Sequence, residues 1–87
     1  LEFKATARRN KLLGLWAANL LGIHGAEAEA YAKTVVKADF EKPGDQDVVD
    51  KLMADFKEKG VDMSDHRLRK HMSELMHAAI EQIKAEA

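Results

Sequence analysis

The sequence predicts an all-α fold, a four-helix bundle whose short connections make neighbouring helices run antiparallel. Three observations support this fold class. Apolar residues recur every three to four positions in four separate segments, no segment alternates with the two-residue period of a strand, and the breaks between segments span only a few residues. A chain of 87 residues suffices for one modest core, so we expect a single helical domain over residues 1–87.

The first two helices are predicted over about residues 3–21 and 26–41. The first segment lacks proline and is rich in good helix formers, and Gly22 follows it as a residue suited to a left-handed C-terminal cap. The second segment carries glutamates in its first turn, where they favour the helix dipole. Pro43 and Gly44 are expected to end it.

The last two helices are predicted over about residues 47–59 and 65–85. Asp45 or Asp47 can cap the third helix, and Ser64 is a suitable N-cap for the fourth. The predicted core residues of helices two to four share the helical spacing of one buried face. They are Ala28, Tyr31, Ala32, Val35, Val36, Phe40, Val48, Val49, Leu52, Met53, Phe56, Leu68, Met72, Leu75, Met76, Ala79 and Ile83.

Helix one carries a change from apolar to basic residues along a single face. Arg9 falls on the same stripe as the apolar residues that follow it, and Arg8 lies near the edge of that stripe. Burying an unpaired guanidinium costs several kcal/mol, so we expect residues 1–11 to overhang the bundle. The alternative is that both arginines pair with the acidic second and third helices. The apolar members of the stripe are Leu12, Leu13, Trp16 and Leu20.

This basic end of helix one is the candidate partner-binding site. Aromatic and arginine side chains dominate the binding energy of protein interfaces, and here they occur together with two lysines. The predicted partner-binding residues are Phe3, Lys4, Arg8, Arg9 and Lys11.

Other kinds of site find less support in the sequence. The chain has no cysteine, and no two of its four histidines have the three- or four-residue spacing of a helical zinc site, so no metal site is predicted. Ser64 is better used as a helix cap, Ser73 and Thr34 have no identifiable base beside them, and the carboxylates are spaced as helix surface charges. We therefore predict no catalytic residues and no enzyme. No apolar run approaches the ~20 residues that span a bilayer, so membrane insertion is not expected.

Three runs of the sequence resemble the zeta subunit of alphaproteobacterial F-type ATP synthases. They are FKATARRNKLLGLWAA at 3–18, AEAYAKTVVKADFEKPGDQDVV at 28–49 and SDHRLRKHM at 64–72, and the resemblance extends over nearly the whole chain. It implies a four-helix regulatory subunit that docks on the F1 sector, contacts its catalytic and rotor subunits (alpha, beta and gamma) and blocks rotation in the hydrolysis direction. It also implies a cytoplasmic location, peripheral to the inner membrane through the ATP synthase.

In that family the inhibitory element is a mobile segment upstream of the residue that matches Leu1. The resemblance therefore implies that this chain lacks most or all of that element and retains the bundle with its docking surface. Weak binding of adenine nucleotide is also implied, although no GxxxxGK[ST] phosphate loop is present and no cofactor is otherwise predicted. The bases available for a phosphate are Arg8, Arg9, Lys11, Arg67, Arg69 and Lys70.

The alternative function is a helical nucleic-acid- or nucleotide-binding module that uses these same two basic clusters. The overall charge argues against nucleic acid, because the chain has a net charge of -1 and a pI of about 6.5, whereas nucleic-acid-binding domains usually present a broad basic face.

Overall fold

The computed structural model describes residues 2–41 and 44–86, almost all of which lie in four α-helices. Helix α1 spans Glu2–Leu20, α2 Gly25–Glu41, α3 Asp45–Glu58 and α4 Asp65–Glu86. The described ranges contain no strand. The predicted all-α, four-helix class is therefore confirmed.

Contacts between α1 and α2 show that these helices run antiparallel. Phe3 near the start of α1 packs against Phe40 near the end of α2. Further along, Gly14 lies so close to α2 that a Cβ atom on it would be 2.6 Å from the Cα of Ala32. The missing side chain at Gly14 thus allows the two backbones to approach.

Helix α4 runs antiparallel to α1 on another side. Arg8 near the start of α1 pairs with Glu86 at the end of α4, and Trp16 further along stacks on His71 near its beginning. Helix α1 therefore lies between α2 and α4 and packs against both. The result is the up-and-down arrangement expected for helices joined by short connections.

The core draws on all four helices. Helix α3 buries four of the five apolar residues that its sequence stripe predicted: Val48, Val49, Leu52 and Phe56. Leu20 and Phe40 were predicted to be inside but are 40% and 60% exposed. Both lie at helix ends, where the stripe runs past the neighbouring helices. The buried apolar residues are Ala5, Leu13, Ala17, Ala18, Leu21, Ala32, Val35, Val48, Val49, Leu52, Phe56, Leu68, Met72 and Ala79.

The helix ends follow the expected local chemistry with one exception. Gly22 after α1 has a φ of +78°, the left-handed conformation expected of it, and the Ser64 hydroxyl accepts a hydrogen bond of 3.1 Å from the backbone N–H of Arg67. The N-cap of α3 is Gly44, so the two aspartates proposed as caps lie instead inside the first turn. Pro43, predicted to end the second helix, lies outside the described residues.

The predicted overhang at the start of helix one is wrong for the described residues. Ala5, Arg9 and Asn10 are all buried, so the first turns of α1 lie on the bundle. The prediction assumed an unpaired arginine, whereas Arg9 has both a carboxylate and an amide as partners. Within the described ranges, no helix is both long and apolar enough to cross a membrane.

Candidate functional site

The five predicted partner-binding residues are divided between opposite faces of α1. A helix advances about 100° per residue, so neighbouring residues point in different directions. Phe3, Lys4, Arg8 and Lys11 line an outer surface of the bundle, whereas Arg9 is buried among the helices. The structure therefore brings four of the five residues together on one surface, and the fifth, Arg9, does not belong to that surface.

Arg9 is 3% exposed and connects α1 to the beginning of α3. Its Nη2 donates hydrogen bonds to Asp45 Oδ1 at 2.9 Å and to Asn10 Oδ1 at 2.8 Å, and its Nε donates to the same Asn10 oxygen at 3.1 Å. The hydrogen bond from Arg9 holds the pKa of the Asp45 carboxyl below its usual range. Arg9 thus stabilises the contact between two helices and is not available to a partner in this conformation.

Arg8 makes a different connection, at the surface. Its guanidinium donates to Gln82 Oε1 and to Glu86 Oε1, each at 2.9 Å, and lies 2.8 Å from the other carboxylate oxygen of Glu86. This hydrogen bond lowers the pKa of Glu86 and raises that of Arg8. Because the pair is exposed to solvent, a carboxylate on a partner could compete for the same guanidinium.

Phe3 and Phe40 form an exposed aromatic pair beside these charges. Their ring centroids are 5.4 Å apart with an interplanar angle of 64°, an edge-to-face contact. Phe3 is 66% exposed and Phe40 60% exposed, so the pair presents apolar surface to solvent at the basic end of α1. Exposed aromatic groups next to arginine are typical of protein-binding surfaces.

The second basic cluster, Arg67, Arg69 and Lys70, lies in the first turns of α4 and is exposed. Arg69 donates from Nε to Asp65 at 2.9 Å and from Nη2 to Gln46 Oε1 at 2.6 Å. These bonds leave Arg69 less free to bind a phosphate than its sequence position implied. Arg67 also bonds within the chain, donating to the carbonyl oxygen of Asp62 at 3.4 Å.

The two basic clusters approach each other at one point. Arg9 of the first and Arg69 of the second both act on Asp45, and all three residues line one shallow depression together with part of α4. A bound phosphate at this depression would meet the carboxylate of Asp45, which repels it. Adenine nucleotide binding by these clusters therefore stays a prediction.

One histidine, His71, takes part in local contacts. The ring of His71 stacks on Trp16 with 4.0 Å between centroids, and its Nδ1 lies 3.3 Å from Glu74 Oε1. Within the part of the chain that the structure describes, no group of three or more His, Asp or Glu side chains could hold a metal ion.

Sequence reasoning missed the residues that α2 and α4 contribute to the basic end of α1. Gln82, Ile83 and Glu86 lie there, as does Phe40, although Phe40 and Ile83 were predicted to be core. The i, i+4 spacing of Gln82 and Glu86 places them on one face of α4. That spacing could have identified them as partners of an arginine only if the pairing of α1 with the end of α4 were known.

The fold and this site together define a small helical bundle with exposed aromatic and basic side chains at one end. The family model of the ATPase inhibitor subunit zeta matches residues 1–82, and the chain belongs to that family. The resemblance seen in the sequence is thus confirmed, and the role of an inhibitor subunit is regulatory.

Solved structures extend this match to three dimensions. A protein whose solution structure was determined by NMR has 46% sequence identity to this chain and superimposes with a TM-score of 0.85. The similarity covers 99% of this chain and 98% of the other. Comparison with curated protein sequences gives no match.

Proposed function

We propose that this chain docks on the F1 sector of a bacterial ATP synthase and blocks its rotation in the direction of ATP hydrolysis. Its contacts are with the catalytic and rotor subunits, alpha, beta and gamma. It is located in the cytoplasm, at the inner membrane, to which the ATP synthase attaches it. The observation that carries this proposal is the match of the family model of the ATPase inhibitor subunit zeta over residues 1–82.

The structure supports a docking role in a second way. Two large apolar side chains, Phe3 and Phe40, remain exposed where Lys4, Arg8 and Lys11 also reach solvent. Burying such aromatic surface yields roughly 25 cal/mol per Å² of apolar area removed from water. A partner that covers this end of the bundle would therefore gain apolar contact and ion pairs at the same place.

The test separates docking from inhibition. The purified chain, alone and extended by the N-terminal inhibitory segment that the family resemblance implies, is added to isolated F1 sector, and binding is measured by co-purification while ATP hydrolysis is measured in the same samples. ATP synthesis is then measured in inverted membrane vesicles that contain the complete enzyme. We expect both forms to bind F1 and the extended form to lower the rate of hydrolysis, with a much smaller effect on synthesis.

Each result has a distinct meaning. If the chain does not bind F1, the proposed function is wrong. Binding of the extended form without a change in hydrolysis would leave docking in place and contradict the block of rotation. Equal loss of hydrolysis and synthesis would contradict the proposed direction of that block.

A further inference from the structure

One groove on the bundle combines apolar and basic side chains from three helices, and we call it the outer groove. Residues 3, 4, 7, 8 and 11 of α1 line it, because their spacing places them on one helix face. The other two helices contribute residues near their C-terminal ends. The lining residues are Phe3, Lys4, Ala7, Arg8, Lys11, Val36, Ile83 and Glu86.

The apolar part of the outer groove is only partly covered. Ala7, Val36 and Ile83 are half-buried and Phe3 is mostly exposed. These four residues come from α1, α2 and α4 and line the same groove. The apolar surface therefore extends over three helices and is not a single side chain. An occupant with a row of apolar side chains would remove this surface from water.

The charge of the groove determines which apolar occupant fits. Three cations, Lys4, Arg8 and Lys11, stand against one carboxylate, that of Glu86, which leaves a net charge of +2. Both lysines are exposed, and Arg8 already shares its charge with Glu86. Carboxylates along the edge of an apolar row would face Lys4 and, about two turns further along α1, Lys11.

The opposite face of α1 is packed against the rest of the bundle. This packing argues against a binding mode in which α1 detaches from the bundle to contact the partner. Arg9 is buried in its contacts with Asp45 and Asn10, and Gly14 touches the backbone of α2 at Ala32. Detaching α1 would leave Asp45 without its partner and open the core at Leu13. A partner therefore meets α1 in place, through its outer face.

We propose that the outer groove binds an amphipathic α-helix of the ATPase, one whose apolar stripe is flanked by Asp or Glu residues. This inference rests on the proposed function and adds to it the docking surface and the chemistry of the partner segment. An anionic membrane surface fits these observations less well. Binding of the chain to such a membrane would gain about 1 kcal/mol for each base near the surface. The groove has only three bases, so this gain is small.

Charge reversal provides the first test. The double variant Lys4→Glu, Lys11→Glu is compared with Lys33→Glu, Lys57→Glu, which makes the same change in charge at exposed positions of α2 and α3. Kd for isolated F1 sector is measured by biolayer interferometry, and circular dichroism confirms that each variant is folded. We expect about a tenfold or greater weakening for the groove variant and a change within about twofold for the control.

Photo-crosslinking provides the second test. A photoreactive phenylalanine is placed at position 3 or 83, in the groove, and at position 30, on the exposed side of α2, as a control. Mass spectrometry then identifies the attached segment of F1. We expect the groove positions, and not position 30, to give a helix with apolar residues flanked by acids.

The outcomes distinguish this inference from the proposed function. If the unmodified chain binds F1 and both charge-reversal variants bind equally well, the outer groove is not the docking surface, although the proposed function stands. Crosslinks from positions 3 and 83 to a segment without acidic residues would contradict the partner chemistry.

Binding to vesicles of anionic phospholipid that is tighter than binding to F1 would overturn the choice of a protein partner. If the chain does not bind F1, the proposed function itself fails.

Discussion

At the scale of single residues, the most consequential side chain is that of Arg9, which is charged and buried. Sequence periodicity correctly placed it on the same stripe as the apolar residues of α1, and the alternative of pairing with an acidic helix proved right for this residue. The periodicity could not indicate which acid it meets. That depends on the tertiary packing, which brings Asp45 at the beginning of α3, distant in sequence, within 2.9 Å of Arg9.

The first prediction concerns this ion pair. Asp45→Asn keeps the shape of the side chain but leaves the buried guanidinium without a charged partner, so we expect a loss of about 1 to 2 kcal/mol in the free energy of unfolding at pH 7. Asp47→Asn is the control, because it removes the same charge from the first turn of α3. Urea denaturation of both variants measures the difference. An equal loss in both would mean that the helix dipole, and not Arg9, accounts for the effect.

The same pair predicts how stability depends on pH. The folded state lowers the pKa of Asp45, so the stabilisation is present above the unfolded pKa of about 4 and is lost as pH falls through the folded value. The free energy of unfolding of the wild type and of Asp45→Asn should therefore differ at pH 7 and converge toward pH 2. A constant difference across this range would contradict the assignment.

Tyr31 predicts an effect at the alkaline end. Its hydroxyl donates to Asp55 Oδ2 at 2.5 Å, and burial followed by this hydrogen bond raises its pKa far above the usual range. The stabilisation is complete below about pH 10, where unfolded tyrosine begins to ionise, and decreases above it. Since this is the only tyrosine, absorbance at 295 nm should report tyrosinate only as the chain unfolds. Tyr31→Phe should lose less stability above pH 10, and tyrosinate in a folded chain would contradict this account.

At the scale of helices, the contact of α1 with α2 depends on the absence of a side chain at position 14. The helical periodicity of the sequence gave no sign that Gly14 has a structural role within the first helix. A Cβ there would lie 2.6 Å from the Cα of Ala32 and 3.3 Å from Val35 Cγ2, too close for either helix to remain in place. Backbone proximity of this kind depends on how two helices cross, which the sequence of one helix does not specify.

Gly14→Ala tests this contact, and its two effects have opposite signs. Alanine improves helix propensity by about 1 kcal/mol, but the clash with backbone costs about 1 to 3 kcal/mol, and we expect net destabilisation. Asn19→Ala, at an exposed position of the same helix, should be neutral or slightly stabilising. Thermal denaturation followed by circular dichroism compares the two. A higher Tm for Gly14→Ala would show that α1 and α2 can separate at little cost.

At the scale of the whole molecule, the class of fold and the main core of α3 followed from helical spacing alone. The ends of the helices did not, because burial there depends on which neighbouring helix extends far enough to cover them. Phe40 illustrates this, since it lies on the predicted face of α2 and yet reaches solvent beside Phe3. The same limit applies to the candidate site. Its basic residues on α1 were evident from sequence, whereas the contributions of Val36 and Ile83 required the packing.

The core predicts cooperative unfolding of the whole chain. The single tryptophan, Trp16, contacts both Phe56 of α3 and His71 of α4, so its surroundings depend on three helices. Its fluorescence and the helical circular dichroism signal should therefore change at the same urea concentration. Separate transitions would show that part of the bundle unfolds on its own.

The buried arginine also has a consequence for the kinetics of recruitment. Because Arg9 holds the inner face of α1, the backbone that carries the lysines of the outer face keeps its position before any partner arrives, and no helix has to be ordered on association. Exposed charges act over about a Debye length, roughly 10 Å at 0.1 M salt, whereas apolar contacts act only after touching. On the proposed function, rising salt should thus slow association with F1 and change dissociation little, so that a residue hidden from the partner would help determine how fast the ATPase is inhibited.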